Sequence, residues 1–325
     1  MSVSRIRQKV AVVVPTYFQP QVPDSVIRPI LEGVFADSEI FVAPERTLAV
    51  VDRETRAEAI FRTAGPEDSF SRCQLYRLER NRGKAGAIES GLRELLATTD
   101  AEYIVTRDCD GDHVLEDIPR MVGLADSIMH QTGNALVVVM GGRASLEKPM
   151  GWVREEWERY TNHVLVNLIE FGLARMDRIF DRRFLNGQLP DIQSGYRVYS
   201  RAAAERAVHS LEQVPERKEV QTFACEFMPF ADLAIDGAVF GQIQRQTLVE
   251  QPVSSYQEVD FAGVYGSLLA HMAEQMGVKR PRLLEMMDSH LPDCSLFFTD
   301  LRNELFRCRR IVDPDAPAPI LPPFL

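Results

Sequence analysis

Val10–Val14 is an unbroken apolar run, mostly β-branched, closed by Pro15. A run with no polar face folds as a strand covered on both sides, which requires helices above and below a sheet. The same grammar recurs along the first half of the chain. Helical spacing over Ser25–Phe35 leads to an apolar run at Leu48–Val51, a short helical stretch at Arg56–Phe61 and a third strand at Gln74–Leu78. Helical Lys84–Leu96 precedes a fourth strand, Tyr103–Thr106, then a helix over Leu115–Ile128 and a strand over Ala135–Met140. Strands alternating with helices predict an α/β fold on a Rossmann-like, mostly parallel sheet. Ligands of such sheets sit outside the carboxyl ends of the strands. Three of those ends carry polar punctuation here: Pro15-Thr16-Tyr17, Asp52-Arg53 and Asp108-Cys109-Asp110.

Past Met140 the pattern changes. Trp152–Met176 is one long helical stretch with Val153, Trp157, Tyr160, Val164, Leu168 and Phe171 on a stripe, which reads as core packing. A polar segment at Asp191–Arg201 runs into a helix over Arg201–Leu211, and Val239–Val249 reads as a strand or strand pair. Helices are expected over Phe261–Met276, Arg282–Met287 and Leu296–Arg309, before a proline-rich, stiff tail from Asp313. The domain expectation is therefore a sheet domain over 1–255, a helical extension over 256–312 and a tail over 313–325.

With 37 Lys+Arg against 47 Asp+Glu, the net charge of −10 argues against a nucleic-acid partner, whose phosphates need neutralising. No apolar run reaches 18 residues, and the apolar stretch near the N-terminus stops after five, too short for a signal peptide. A cytoplasmic protein is expected. The five cysteines are scattered without a CxxC pair, so neither a disulfide framework nor a zinc site is expected.

Chemistry concentrates in three segments. Tyr103-Ile-Val-Thr-Arg-Asp108-Cys-Asp110-Gly-Asp112-His113 delivers carboxylates two residues apart to a strand end. Mg²⁺ and Mn²⁺ favour oxygen ligands and take one or two carboxylates together with phosphate oxygens. The competing reading is an acidic loop that caps the next helix. An EF-hand fails, because its required Gly and Glu fall on His113 and Pro119. A haloacid-dehalogenase-type phosphatase with Asp108 as nucleophile shares the Asp-x-Asp-Gly spelling, although Asp112 stands where such enzymes carry Thr or Val.

The second segment, Arg77-Leu-Glu-Arg80-Asn81-Arg82-Gly83-Lys84, is a basic, glycine-containing turn at a helix start, a fitting place for phosphates. It lacks the upstream Gly and the following Ser/Thr of a Walker loop. The third, Asp191-Ile-Gln-Ser194-Gly195-Tyr196-Arg197-Val-Tyr-Ser200-Arg201, offers Asp191 as a base and Arg197 as a phosphate or metal-side contact, with Ser200 placed to cap the next helix.

Taken together the segments resemble family 2 glycosyltransferases, especially the branch that includes dolichyl-phosphate mannose synthases, from about Val10 to Tyr256. Val12-Val-Val-Pro-Thr-Tyr resembles the opening strand and nucleotide-contacting turn of that family, and Asn81-Arg-Gly-Lys84 its Asn-x-Gly-Lys loop. Asp108-Cys-Asp110 is similar to its metal-binding Asp-x-Asp, with Asp112 in the place of a third side chain that can reach the metal and His113 where the family also has His. Ser194-Gly-Tyr-Arg-Val-Tyr resembles its Ser-Gly-Phe-Arg-Leu-Tyr segment.

The resemblance implies a GT-A fold, a nucleotide-diphosphate sugar donor (UDP- or GDP-linked), a Mn²⁺ or Mg²⁺ cofactor and inversion at the anomeric carbon. It places Pro15, Thr16, Tyr17, Asp52, Arg82, Lys84, Asp108 and Arg197 at the donor, and Asp108, Asp110 and Asp112 at the metal. The family's Asp-Asp-Gly-Ser after the second strand is Asp52-Arg53-Glu54-Thr55 here, so a second acidic contact to the nucleoside is lost. A neutral hydroxyl acceptor needs a carboxylate base, for which Asp191 and Glu226 are the candidates; an anionic acceptor needs none. A small soluble acceptor or a lipid phosphate fits, as does a homodimer through the C-terminal helices. A non-catalytic nucleotide-sugar binding protein is the other alternative.

Overall fold

The computed structural model describes residues 9–40, 46–51, 55–64, 73–144, 151–185, 187–214, 218–245 and 259–319. Asp52 lies outside them. The chain divides into two units, Met1–Ala144 with Asp181–Ser255, and Ser145–Phe180 with Tyr256–Leu325.

The first unit begins β1 (Val10–Thr16), α1 (Asp24–Ile40), β2 (Arg46–Val51), α2 (Thr55–Ala64), β3 (Cys73–Arg77), α3 (Gly83–Thr98) and β4 (Tyr103–Thr106). It continues with α4 (Ile118–Thr132), entered through a 3₁₀ turn at Leu115–Asp117, and with β5 (Val137–Arg143). After the excursion into the second unit come β6 (Arg197–Ser200), α6 (Arg201–Glu212), α7 (Lys218–Ile235) and β7 (Val239–Arg245). The strands form one sheet in the order β3-β2-β1-β4-β6-β5-β7. All pairings are parallel except those of β6, which runs antiparallel to both β4 and β5.

Val10–Val14 is buried throughout, as a strand covered on both faces must be. Helix α3 lies across β1 and β2 at Gly91, where a Cβ would stand 2.6 Å from Val13 Cγ1 and 2.9 Å from Val50 Cγ2. Only glycine permits that approach.

Two elements depart from the sequence pattern. β6 is four residues long and its Arg and Tyr side chains mask its strand character, so it reads as a polar loop; β4 and β5 recruit it from both sides. Helix α7 carries Pro229 in its interior, which hides its helical pattern. Ser200 caps α6 as expected, its Oγ accepting the Ala203 N–H at 3.3 Å.

The second unit contains α5 (Trp152–Ala174), α8 (Phe261–Gln275), α9 (Arg280–Ser289) and α10 (Arg302–Val312). Its centre is aromatic: Trp157 stacks on Tyr265 at 5.8 Å and on Phe261 at 6.3 Å between ring centroids. Gly172 approaches Met276, and the Tyr160 hydroxyl donates to the Met287 carbonyl at 3.2 Å. The helix over 152–174 therefore joins the C-terminal helices and not the sheet, and the unit is discontinuous in sequence. The chain passes between the two units at 144/145, 180/181 and 255/256, and the apolar stripe of α5 is completed by residues of α8. Arg309, buried, binds Asp288 and the Pro317 carbonyl, which pins the start of the proline-rich tail. Among the described residues no helix is long and apolar enough to cross a membrane.

Candidate active site

From β1 the chain runs through β2 and β3 on one side and returns to β4 on the other, so a crevice opens where β1 and β4 part. That is the switch point at which sheets of this kind hold ligands. The last β1–β4 pair is Val13 with Thr106, and Pro15, which has no N–H to give a ladder, sits beyond it. Thr16 is buried, with its hydroxyl donating to the Val14 carbonyl at 3.1 Å, and Tyr17 beside it is half exposed. Cys109 links the two strand ends, its thiol within hydrogen-bonding reach of the Tyr17 amide. Burial, followed by the charges of Asp110 and Asp108, pushes that thiol up to about 12, so it is a packing group and not a nucleophile.

The acidic segment is held from within. The Asp108 amide donates to His113 Nδ1 at 2.8 Å, and the His113 ring stacks on Tyr196 at 4.8 Å and 11°. Burial, assisted by the Arg245 charge, lowers His113 to about 3, so the imidazole is neutral and Nδ1 is free to accept. Asp110 Oδ1 accepts the Asp112 amide at 3.2 Å, and Gly111 takes φ 88°, the left-handed bend that lets the loop turn on itself. Burial, then the neighbouring Asp108 charge, raises Asp110 to about 7.

Asp112 faces away from this pair. Its Oδ2 accepts from Arg245 Nη2 at 3.0 Å and its carbonyl from Nη1 at 2.8 Å; Arg245 Nε reaches the Gly141 carbonyl at 3.2 Å. Against the opposing effect of burial, the Arg245 hydrogen bonds and charge hold the Asp112 carboxyl below its usual range. An expected metal ligand is thus an ion-pair partner of an arginine that is 1% exposed.

Since His113 is neutral when folded and near 6.5 when unfolded, the unfolded chain binds the extra proton between about pH 6.5 and 3. Stability from this residue is complete above 6.5 and falls as the pH drops through that window. The lead of the parent over His113→Gln in denaturant titrations should shrink by about 2 kcal/mol between pH 7 and pH 5. A constant lead would show that the imidazole takes up its proton in the fold as readily as in the unfolded chain.

Lys84 opens helix α3, behind Gly83 at φ 69°, whose amide donates to Asn81 Oδ1 at 2.9 Å. Its ammonium lies 2.8 Å from Asp108 Oδ1, 3.0 Å from Asp108 Oδ2 and 2.8 Å from Glu226 Oε1. Burial opposes the charge, but Asp108 and then Glu226 hold the amine well above its ordinary range. Glu226, on α7, also accepts from the Cys225 thiol at 2.7 Å. Gly195 completes the enclosure: a Cβ there would sit 3.0 Å from Lys84 Nζ and 3.1 Å from Asp108 Oδ2. Its carbonyl accepts from the Thr106 hydroxyl at 3.0 Å.

The remaining expected residues lie elsewhere in the network. Arg82 turns along α3 to Glu89, at 2.7 Å, and Ser90. Asp191, an expected base, is clamped by Arg143, with Nη2–Oδ1 at 2.6 Å, Nε–Oδ2 at 2.7 Å and the Arg143 amide on Oδ2 at 3.1 Å. Although burial opposes it, the Arg143 charge holds this carboxyl below its usual range, which suits a strut and not a proton acceptor. Arg197, expected at phosphate, is 2% exposed and binds the Ser194 and Ile192 carbonyls and the Tyr199 hydroxyl.

The structure thus brings together Lys84, Asp108 and Glu226 with Asp110 beside them, leaves Thr16 and Tyr17 at the neighbouring end of β1, and holds Asp112, Asp191 and Arg197 in bracing contacts. Arg143 and Arg245 escape sequence reasoning. The one available signal is positional, since each closes a parallel strand (β5 and β7) at the end where the site forms.

Residues 11–207 match glycosyl transferase family 2. No curated protein matched the sequence. Among solved structures, the bifunctional IspDF from Campylobacter jejuni aligns with a TM-score of 0.41 and 8% identity, over 75% of this chain and 52% of its own. The present chain therefore spans about half the length of that protein. The CMP:2-keto-3-deoxy-manno-octonic acid synthetase complexed with CTP aligns with a TM-score of 0.40 and 15% identity, over 82% of this chain and 99% of its own. The family match spans more than half of the 325 residues, includes all three motif segments and displaces the phosphatase alternative. The chain belongs to glycosyl transferase family 2, and its mostly parallel sheet has the GT-A fold of that family.

Proposed function

We propose that the enzyme transfers a hexosyl group with inversion from a UDP- or GDP-linked donor, and that Asp108 and Asp110 hold a Mn²⁺ or Mg²⁺ ion at the donor diphosphate. The observation that carries this reading is the crowding of these two carboxylates at the end of β4, where burial and the Asp108 charge raise Asp110 to about 7. The two carboxylates have the single Lys84 ammonium between them, and oxygen donors of this kind suit a hard divalent cation. Among the described residues no group of three or more His, Cys, Asp or Glu is poised for a metal, which fits a site whose other ligands are phosphate oxygens and water. The cation, when bound, supplies charge neutralisation to the departing diphosphate.

The protein's own groups divide the remaining work. Pro15, Thr16 and Tyr17 line the nucleoside side of the crevice, with Asp52 a proposed contact to the base. Lys84 offers its ammonium to the diphosphate. Glu226, 2.8 Å from Lys84, is the carboxylate left to accept a proton from an acceptor hydroxyl, because Asp191 is committed to Arg143. A lipid phosphate acceptor would attack without that help.

In a thermal melt, UDP or GDP at about 100 times Kd should raise Tm by roughly 5–10 °C with Mn²⁺ present. With EDTA the rise should vanish. A shift of equal size in EDTA would remove the cation from the donor site.

A further inference from the structure

Lys84 is placed to do more than meet a phosphate. Its ammonium covers both oxygens of Asp108, at 2.8 and 3.0 Å, and is tied at the same time to Glu226 at 2.8 Å. The Gly195 backbone stands behind the pair so closely that a Cβ would meet Nζ at 3.0 Å and Asp108 Oδ2 at 3.1 Å. The ammonium therefore occupies a fitted place, held by two carboxylates on different helices and loops.

We infer that Lys84 acts as a built-in competitor of the divalent cation, so that the free protein binds the cation weakly and admits it together with the diphosphate. A divalent ion ligated by Asp108 would lie within a few ångströms of Nζ, and like charges at that separation repel strongly in a partly buried site. The ammonium already occupies both oxygens of Asp108, so the cation gains that carboxylate only when Lys84 lets it go. A nucleoside diphosphate gives Lys84 a new partner, so that Asp108 is released to the cation. The order of binding then follows from this exchange of partners, and the same exchange leaves Glu226 with one fewer cation against it. This inference rests on the reading of Asp108 and Asp110 as the cation's carboxylates.

The test is a Mn²⁺ titration of the full chain, followed by the paramagnetic signal of free Mn²⁺, without and with UDP or GDP. The parent should bind Mn²⁺ alone at least about tenfold more weakly than Lys84→Met, while Lys84→Arg, which keeps the charge, should resemble the parent. Lys84→Gln repeats the neutral substitution with a polar side chain should Lys84→Met fail to fold, and circular dichroism verifies both. If the neutral variants bind Mn²⁺ alone no more tightly than the parent, the competition does not exist.

Asp110→Ala separates that failure from a failure of the underlying reading. Nucleotide-supported Mn²⁺ binding that survives Asp110→Ala would locate the cation elsewhere. Binding that Asp110→Ala abolishes, combined with neutral variants that match the parent, would overturn the role of Lys84 alone.

Discussion

Asp110→Ala should lower turnover by roughly 10³-fold or more, since a cation that stabilises a departing diphosphate contributes several kcal/mol to the barrier. The folded state should be no less stable for it. Most deletions of a buried polar group destabilise, but this carboxyl is itself disfavoured: burial, then the adjacent Asp108 charge, lifts it to about 7. At pH 7.5 the parent carries a charge there that the fold resists, and removing it relieves repulsion across the loop. Donor cleavage with Mn²⁺, measured beside a thermal melt, gives both numbers from one preparation. An active variant that still responds to Mn²⁺ would sink the assignment, and an inactive variant with a collapsed melt would show that Asp110 is architectural.

The opposite profile is expected of Arg245→Met. The arginine is 1% exposed and holds the Asp112 carboxylate and carbonyl together with the Gly141 carbonyl. Removing it strands Asp112 without a partner, and breaking a buried pair in this way costs about 3–5 kcal/mol. For the sheet unit that corresponds to a fall in Tm of roughly 10 °C. Adding Asp112→Leu should restore much of the loss, because a buried ion pair is often replaceable as a pair but not by halves. If Arg245→Met melts with the parent, Asp112 is solvated and becomes available again as a cation ligand. The two predictions separate carboxylates that stand only two residues apart in the chain.

The contrast shows what residue patterns reveal. Val10–Val14, Tyr103–Thr106 and the Lys84–Leu96 helix are legible because a run of β-branched residues or a repeat of period 3.6 has one way to bury itself. The crevice follows from the alternation of those elements, which puts the ends of β1 and β4 side by side before any contact is known. β6 and α7 are obscured because their identity is set by neighbours: β6 is a strand where two strands flank it, and α7 tolerates Pro229.

Within the site the letters identify which groups are chemically able, and the fold selects among them. Asp110 and Asp112 read alike, and so do Asp191 and Glu226. Only the positions of Arg245 and Arg143, remote in sequence, decide which carboxylate is bound to a guanidinium, while Glu226 pairs with the Lys84 ammonium.

The insertion of β6 between β4 and β5 has a consequence for anyone who would redesign this enzyme. Ladder partners on both sides fix where Arg197 must sit, while the Asp191 clamp fixes the other end of the segment, so the stretch between them has a set length. A one-residue change of its length that slipped the register of β6 would turn that strand's side chains to the opposite face of the sheet. Changes of specificity should be sought by point substitution there, and loop grafting reserved for other parts of the molecule.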